Sequence, residues 1–84
     1  MKEKVGLVGT IVRGKSVVEV DREPSGHFTF TALNEESAPF AVELGRLQAM
    51  SFRGFGGSGL VSEAAEKSWT SILKDLKSQE SREK

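Results

Sequence analysis

The chain has no cysteine at all and only one histidine, His27. Without thiols there is no disulfide, no thiolate nucleophile and no cysteine-ligated metal. A zinc site at His27 would have to be completed by carboxylates alone, an unusual donor set. A Ser-His-Asp arrangement would need His27 as its base, and no serine or aspartate is tied to it by spacing. His27 follows a turn and reads as an exposed, structural residue. No metal and no cofactor are expected.

Charge of one sign is also lacking. Twelve basic residues balance twelve acidic ones. Counterion release at phosphates drives generic polyanion binding, and a protein relying on it is normally basic. Long hydrophobic runs are missing too. No apolar stretch approaches the roughly 20 residues that span a bilayer. The Val5–Gly9 run is too short and too glycine-broken for a signal segment. These absences predict a soluble, cytoplasmic protein.

What is there reads as one small domain. The chain has 84 residues, a length that buries only about 60–65% of the surface its unfolded form exposes. A folded unit is expected over 1–78, with 79–84 as a frayed polar tail. A domain this small more often presents a surface than encloses a deep catalytic cleft. The paired carboxylates Glu35-Glu36 lie in a polar loop, where nothing shifts a carboxylate toward acid–base work. The chain therefore reads as non-catalytic.

Two-residue periodicity governs the first half. Val5, Leu7, Gly9 and Ile11 alternate with Gly6, Val8, Thr10 and Val12. In Arg13-Gly14-Lys15-Ser16, glycine takes the first central position of a type II′ hairpin turn, which needs a positive φ. That turn sets Ile11 opposite Val18, Gly9 opposite Val20 and Leu7 opposite Arg22. Next, Pro24-Ser25-Gly26 matches a three-residue loop with a type I turn and a glycine bulge. It sets Phe28 opposite Arg22 and Phe30 opposite Val20. One face then carries Leu7, Ile11, Val18, Val20, Phe28 and Phe30.

Phe40, Val42 and Leu44 alternate with Ala41 and Glu43 and predict a fourth strand. Leu44-Gly45-Arg46-Leu47 repeats the glycine-first signal, so Leu47 to Phe52 is a candidate fifth strand. A short helix carrying Val42, Leu47 and Met50 on one side is the other reading of 45–53. Beyond a glycine-rich loop the period becomes 3.6. Ala65, Trp69, Ile72, Leu73 and Leu76 form one amphipathic stripe, with Ser62 as a candidate N-cap. The expectation is an α+β fold: an antiparallel meander of four to five strands, followed by one C-terminal amphipathic helix packed on the sheet.

Three surfaces are candidates for function. The first is the second face of the sheet, where Val8, Val12, Val17 and Leu33 leave apolar surface that a single helix cannot also cover. Such surplus points to protein–protein contact, with a homodimer as the expected assembly. The second is a basic set, Arg13, Lys15, Arg22, Arg46 and Arg53, with Phe55 nearby. Cations on phosphates and rings under bases suit single-stranded nucleic acid. This is the alternative reading.

The third is the run Gly54-Phe55-Gly56-Gly57-Ser58-Gly59. Gly54, Gly56 and Gly59 match G-x-G-x-x-G, between a predicted strand and a helix. The second parallel strand and the acidic residue of a dinucleotide site are missing, and Leu60-Val61 stand where a phosphate loop needs Lys and Ser/Thr. The run reads as a weak anion-loop candidate. In order of elements, the chain resembles Whirly-type single-stranded nucleic-acid binders. It is also loosely similar to pleckstrin-homology-like domains, whose closing helix carries a tryptophan, here Trp69. No motif accompanies that order, so it assigns no binding residues.

Overall fold

The computed structural model describes residues 5–55 and 60–82. Three strands come first: β1 (Gly6–Arg13), β2 (Ser16–Arg22) and β3 (Phe28–Ala32). They form one antiparallel sheet in the order β1-β2-β3. A short 3₁₀ turn (Glu35–Ser37) leads into helix α1 (Ala38–Phe52), and helix α2 (Leu60–Arg82) follows. The fold is α+β, with three strands and two α-helices among the described residues rather than four or five strands and one helix.

Both predicted turns form. Gly14 has φ +60 while Lys15 stays at negative φ, as a type II′ turn requires. At the second turn Gly26 has φ +96, Glu23 donates its N–H to the His27 carbonyl (2.8 Å), and Gly26 donates to the Glu23 carbonyl (2.8 Å). The β2–β3 register follows: Arg22 pairs with Phe28 and Val20 with Phe30. Because these turns are local, the residues that make them also fix the pairing.

β1 departs from the expected register at one point. Ile11 pairs with Val18 and Gly9 with Val20, but Leu7 pairs with Asp21 and Gly6 with Arg22. The extra residue is Val8, taken up as a β-bulge between Leu7 and Gly9. A bulge exchanges the faces of the residues beyond it. Val8 therefore turns into the core, where it is fully buried, and Leu7 turns out to solvent. Val8 is removed from the partner-surface candidates, and Leu7 from the apolar core face.

The predicted strands at 40–44 and 47–52 are one helix, α1. Phe40, Leu44 and Leu47 are its buried residues, spaced i, i+4, i+7. Pro39 sits in its first turn, where a missing N–H is not needed. The helical alternative at 45–53 has the right element, with Leu47 buried and Met50 half-buried, but Val42 is exposed. Gly45 sits inside the helix with open space where a side chain would be.

α1 packs mainly on β3 and α2 mainly on β1, both on the same face of the sheet. The outer strands of a three-stranded sheet lie roughly 10 Å apart, and packed helices keep about that spacing. Two helices side by side therefore cover the sheet edge to edge. Val8, Ile11, Val18, Val20, Phe40, Leu44, Leu47, Trp69, Ile72 and Leu76 make the core. Trp69 meets Phe28 and Phe30 edge-on, each at 6.3 Å between ring centroids.

α2 also differs at both ends from its sequence reading. It begins at Leu60, so Ser62 is its third residue rather than its cap. It runs to Arg82, through four residues of the stretch 79–84 expected to fray. The element order, with two helices after three strands, no longer matches a meander closed by a single helix, and the likeness to the two families named above goes with it.

Candidate binding surface

With both helices on one side, the other side of the sheet has no covering element among the described residues. Cross-strand partners share a face, so three rows of side chains can be read from the register. Thr10, Glu19 and Thr31 form the middle row, and Leu7, Asp21 and Thr29 the row toward the β2–β3 turn. At the other end Val12 pairs with Val17, and Leu33 continues the β3 register by donating its N–H to the Val17 carbonyl (3.0 Å). Val12 is 64% exposed and Leu33 53%, while Val17 is half-buried. Three of the four sequence-derived partner residues thus lie in one line across the sheet.

The other two rows are different in chemistry. Glu19 and Asp21 are half-buried in their centre, with threonines around them. The Oδ1 of Asp21 is out of solvent and accepts no hydrogen bond from the described residues. Leu7, 53% exposed, adds one apolar group beside it. The face is apolar at the Val12 end and acidic in the middle.

Each edge of the sheet is capped at one residue by a side chain from a helix. Gln79 of α2 accepts the Thr10 N–H on its Oε1 (2.8 Å) and donates from Nε2 to the Thr10 carbonyl (2.8 Å). Gln48 of α1 does the same to Phe28 on the opposite edge: Oε1 accepts the Phe28 N–H (2.8 Å) and Nε2 donates to its carbonyl (3.0 Å). A primary amide carries one acceptor and two donors, so each glutamine stands in for one residue of a neighbouring strand. Free strand edges invite pairing with other chains. Sequence reasoning missed both glutamines, because each bond joins residues far apart in the chain.

The basic candidates do not gather on one surface. Lys15 is exposed in the first hairpin turn. Arg13, at the same end, pairs with Glu43 (3.3 Å) and lies 4.3 Å over the Phe40 ring. Arg22 is at the far end of β2, 8% exposed, with its Nη1 2.6 Å from Glu80 and its guanidinium 5.1 Å from the Phe28 ring centroid. Arg46 is exposed on α1, and Arg53 is exposed at the C-terminal end of α1. Phe55 packs against the core, so it is not a free stacking platform. Phe52 is the exposed ring here, tilted against His27 at 4.6 Å.

Gly54 has a structural use. It sits at φ +66, its N–H donates to the Ser51 carbonyl (3.0 Å), and the Phe55 N–H donates to the Met50 carbonyl (3.0 Å). This pair of bonds is a Schellman motif, the left-handed stop of a helix. A helix, not a strand, therefore precedes the glycine run, and the strand-to-helix context of a dinucleotide loop is gone. Gly56 and Gly59 lie outside the described residues.

Among the described residues no group of three His, Asp or Glu side chains could hold a metal ion. No helix among them is long and apolar enough to cross a membrane. A cleft of about 280 Å³ lies between α2 and the β2–β3 end, lined by Arg22, Gly26, Phe28, Leu73, Lys77 and Glu80 among others. Its one buried cation is already engaged by Glu80. No family model, curated protein or solved structure matches this chain.

Proposed function

We propose that this is a non-catalytic binding domain that works through protein–protein contact on the uncovered face of its sheet. The observation that carries the reading is the line Val12–Val17–Leu33, apolar across three strands and covered by neither helix. An apolar line on a small domain gains by being taken out of water, about 25 cal/mol per Å². At the edges, Gln79 and Gln48 occupy the backbone groups of Thr10 and Phe28.

A second copy of the chain is the first occupant to test. Two copies stacked in full would set Glu19 and Asp21 against their own kind, which is unfavourable. Overlap confined to the Val12–Val17–Leu33 end joins the apolar groups and leaves the acidic rows in water. Sedimentation of the wild-type chain from low to high micromolar concentration measures this directly. Association that disappears in Leu33→Glu supports the reading. A wild-type chain that stays monomeric throughout removes self-association.

Single-stranded nucleic-acid binding is the weaker reading. Its cations are divided between the two ends of the sheet, and Arg22 is buried against Glu80. A titration with oligonucleotides at low salt, followed by amide shifts at Lys15 and Arg53, is the check on that alternative.

A further inference from the structure

The β1 edge carries outward-facing backbone groups, and one side chain from α2 takes up part of them. Arg13 and Ser16 flank a two-residue loop, so they form a hydrogen-bonded pair. The alternation of an antiparallel ladder then turns the N–H and C=O of Val12 and Thr10 away from β2. The bonds from Thr10 to Gln79 agree with this. Beyond Thr10, the Val8 bulge interrupts the edge, and beyond Val12 the chain reverses at Gly14. The regular free stretch is therefore two residues' worth of backbone, Thr10 and Val12. Gln79 occupies half of it.

Gln79 is placed where it can leave. Leu76 is the last residue of α2 in the core. Gln79 follows it by less than one turn, in the last described turn of α2. Its Nε2 is also 3.3 Å from Asp75 Oδ2, one turn back on the same helix. Turns beyond the last buried apolar anchor, with few contacts of their own, are the ones that open locally. Opening here breaks the Gln79 pair and the Arg22–Glu80 ion pair, and leaves the core intact.

We propose that Gln79 is a displaceable plug on β1, and that the edge it covers pairs with β1 of a second copy of this chain. Set antiparallel about Ile11, Thr10 of one copy falls opposite Val12 of the other. Both of those pairs are of the outward-facing kind, so four backbone hydrogen bonds form across the two-fold axis. The result is a continuous six-stranded sheet. No two like charges on β1 face each other in this register: Arg13 falls opposite Gly9. This surface shares Val12 with the apolar line of the uncovered face, but it uses the Val12 backbone where the line uses the side chain, and either can hold without the other.

The test is the association of the Gln79→Ala variant, followed by sedimentation and by amide exchange. Self-association at least about tenfold tighter than wild type, with Thr10 and Val12 amides protected in the associated form, is the expected result. Val12→Pro added to Gln79→Ala should abolish it, since proline removes an edge donor while being tolerated on an edge strand. Leu33→Glu added to Gln79→Ala should leave it unchanged, which separates edge from face. Should Gln79→Ala fail to fold, Gln79→Glu keeps the helix and the side-chain length but loses the donor to the Thr10 carbonyl, and is expected to associate likewise. A folded Gln79 variant that associates no more than wild type, or one whose association survives Val12→Pro, overturns the proposal.

Discussion

Gly9 and Gln79 are fitted to each other: a methyl group built on Gly9 would lie 2.8 Å from the amide carbon of Gln79, and closer still to its Oε1. Gly9 is at negative φ, so its backbone would accept alanine. What the position needs is the missing Cβ, because that space lets the amide reach Thr10. Gly9→Ala should displace Gln79 and cost about 1–3 kcal/mol, the worth of two hydrogen bonds to a part-buried strand. Gln79→Ala should cost a similar amount. The two should not add. In the Gln79→Ala background the Oε1 and the amide carbon are gone and the Cβ of residue 79 stays, 3.2 Å from the new methyl, so alanine at 9 should cost less there than in the wild type. Denaturant melts of the two single variants and the double variant measure the coupling. Simple additivity would show that Gln79 does not occupy the site.

Ser37 ties the 3₁₀ turn to the sheet from a fully buried position. Its Oγ accepts the Val17 N–H (2.6 Å) and donates to Asn34 Oδ1 (2.6 Å), while its own N–H donates to the same Asn34 oxygen (2.9 Å). In this way β2 keeps a partner where β3 has ended. Ser37→Ala strands the Val17 N–H and is expected to cost about 1–3 kcal/mol. Asn34→Ala removes a cap on an exposed residue and should cost about 1 kcal/mol. Thermal melts should therefore rank Ser37→Ala below Asn34→Ala. The reverse order would mean that the turn, and not the sheet bond, is what the network supports.

Gly54 gives a similar separation of local from functional roles. Its left-handed φ is what ends α1. Gly54→Ala should cost about 1 kcal/mol through backbone strain, and Gly54→Asn less, since asparagine tolerates that region. Added phosphate or nucleotide should protect wild type and Gly54→Ala equally, because the glycine acts on the helix and not on a ligand. A ligand-dependent rise in Tm seen only in wild type would return this residue to the anion-loop reading.

The parts of the fold that were legible in the sequence are those decided by neighbours in the chain. Gly14 and Pro24-Ser25-Gly26 fix their turns within four or five residues, and the pairing of Phe28 and Phe30 follows. The α2 stripe is legible for the same reason, Trp69, Ile72 and Leu76 being spaced along one helix. The Val8 bulge was not legible, since glycines at 6 and 9 permit either register and only burial of Val8 under α2 decides it. Residues 40–52 satisfied two periods at once. Phe40, Val42 and Leu44 alternate, while Phe40, Leu44 and Leu47 lie on one helical face. Pro39 tips the balance, being welcome in the first turn of a helix and poor inside a sheet. Of the candidate surface, Val12, Val17 and Leu33 were readable from turn geometry. Leu7 was not, because its side of the sheet depends on the bulge. The glutamine plugs were beyond reach, since a polar residue on a helix gives no local sign of the strand it will meet.

Arg22 offers the sharpest contrast between a residue's apparent and actual surroundings. In the sequence it is one of several cations near a turn; in the fold it is buried, paired with Glu80 and set against the Phe28 ring. Its partner Glu80 remains partly exposed, at 28% of its side chain. The two halves of the pair should therefore differ in what their loss costs. Glu80→Gln keeps a hydrogen-bond acceptor near the guanidinium, and water can reach the site, so about 1 kcal/mol is expected. Arg22→Ala removes the ion pair, the ring contact and the buried stem together, and about 2–4 kcal/mol is expected. Arg22→Met restores the stem against Phe28 without the charge, and should recover at least half of that loss. Urea melts of the three variants check the order. If Arg22→Met is as damaging as Arg22→Ala, the charge itself holds β2 to α2. If Glu80→Gln is as damaging as Arg22→Ala, the ion pair outweighs the packing around it.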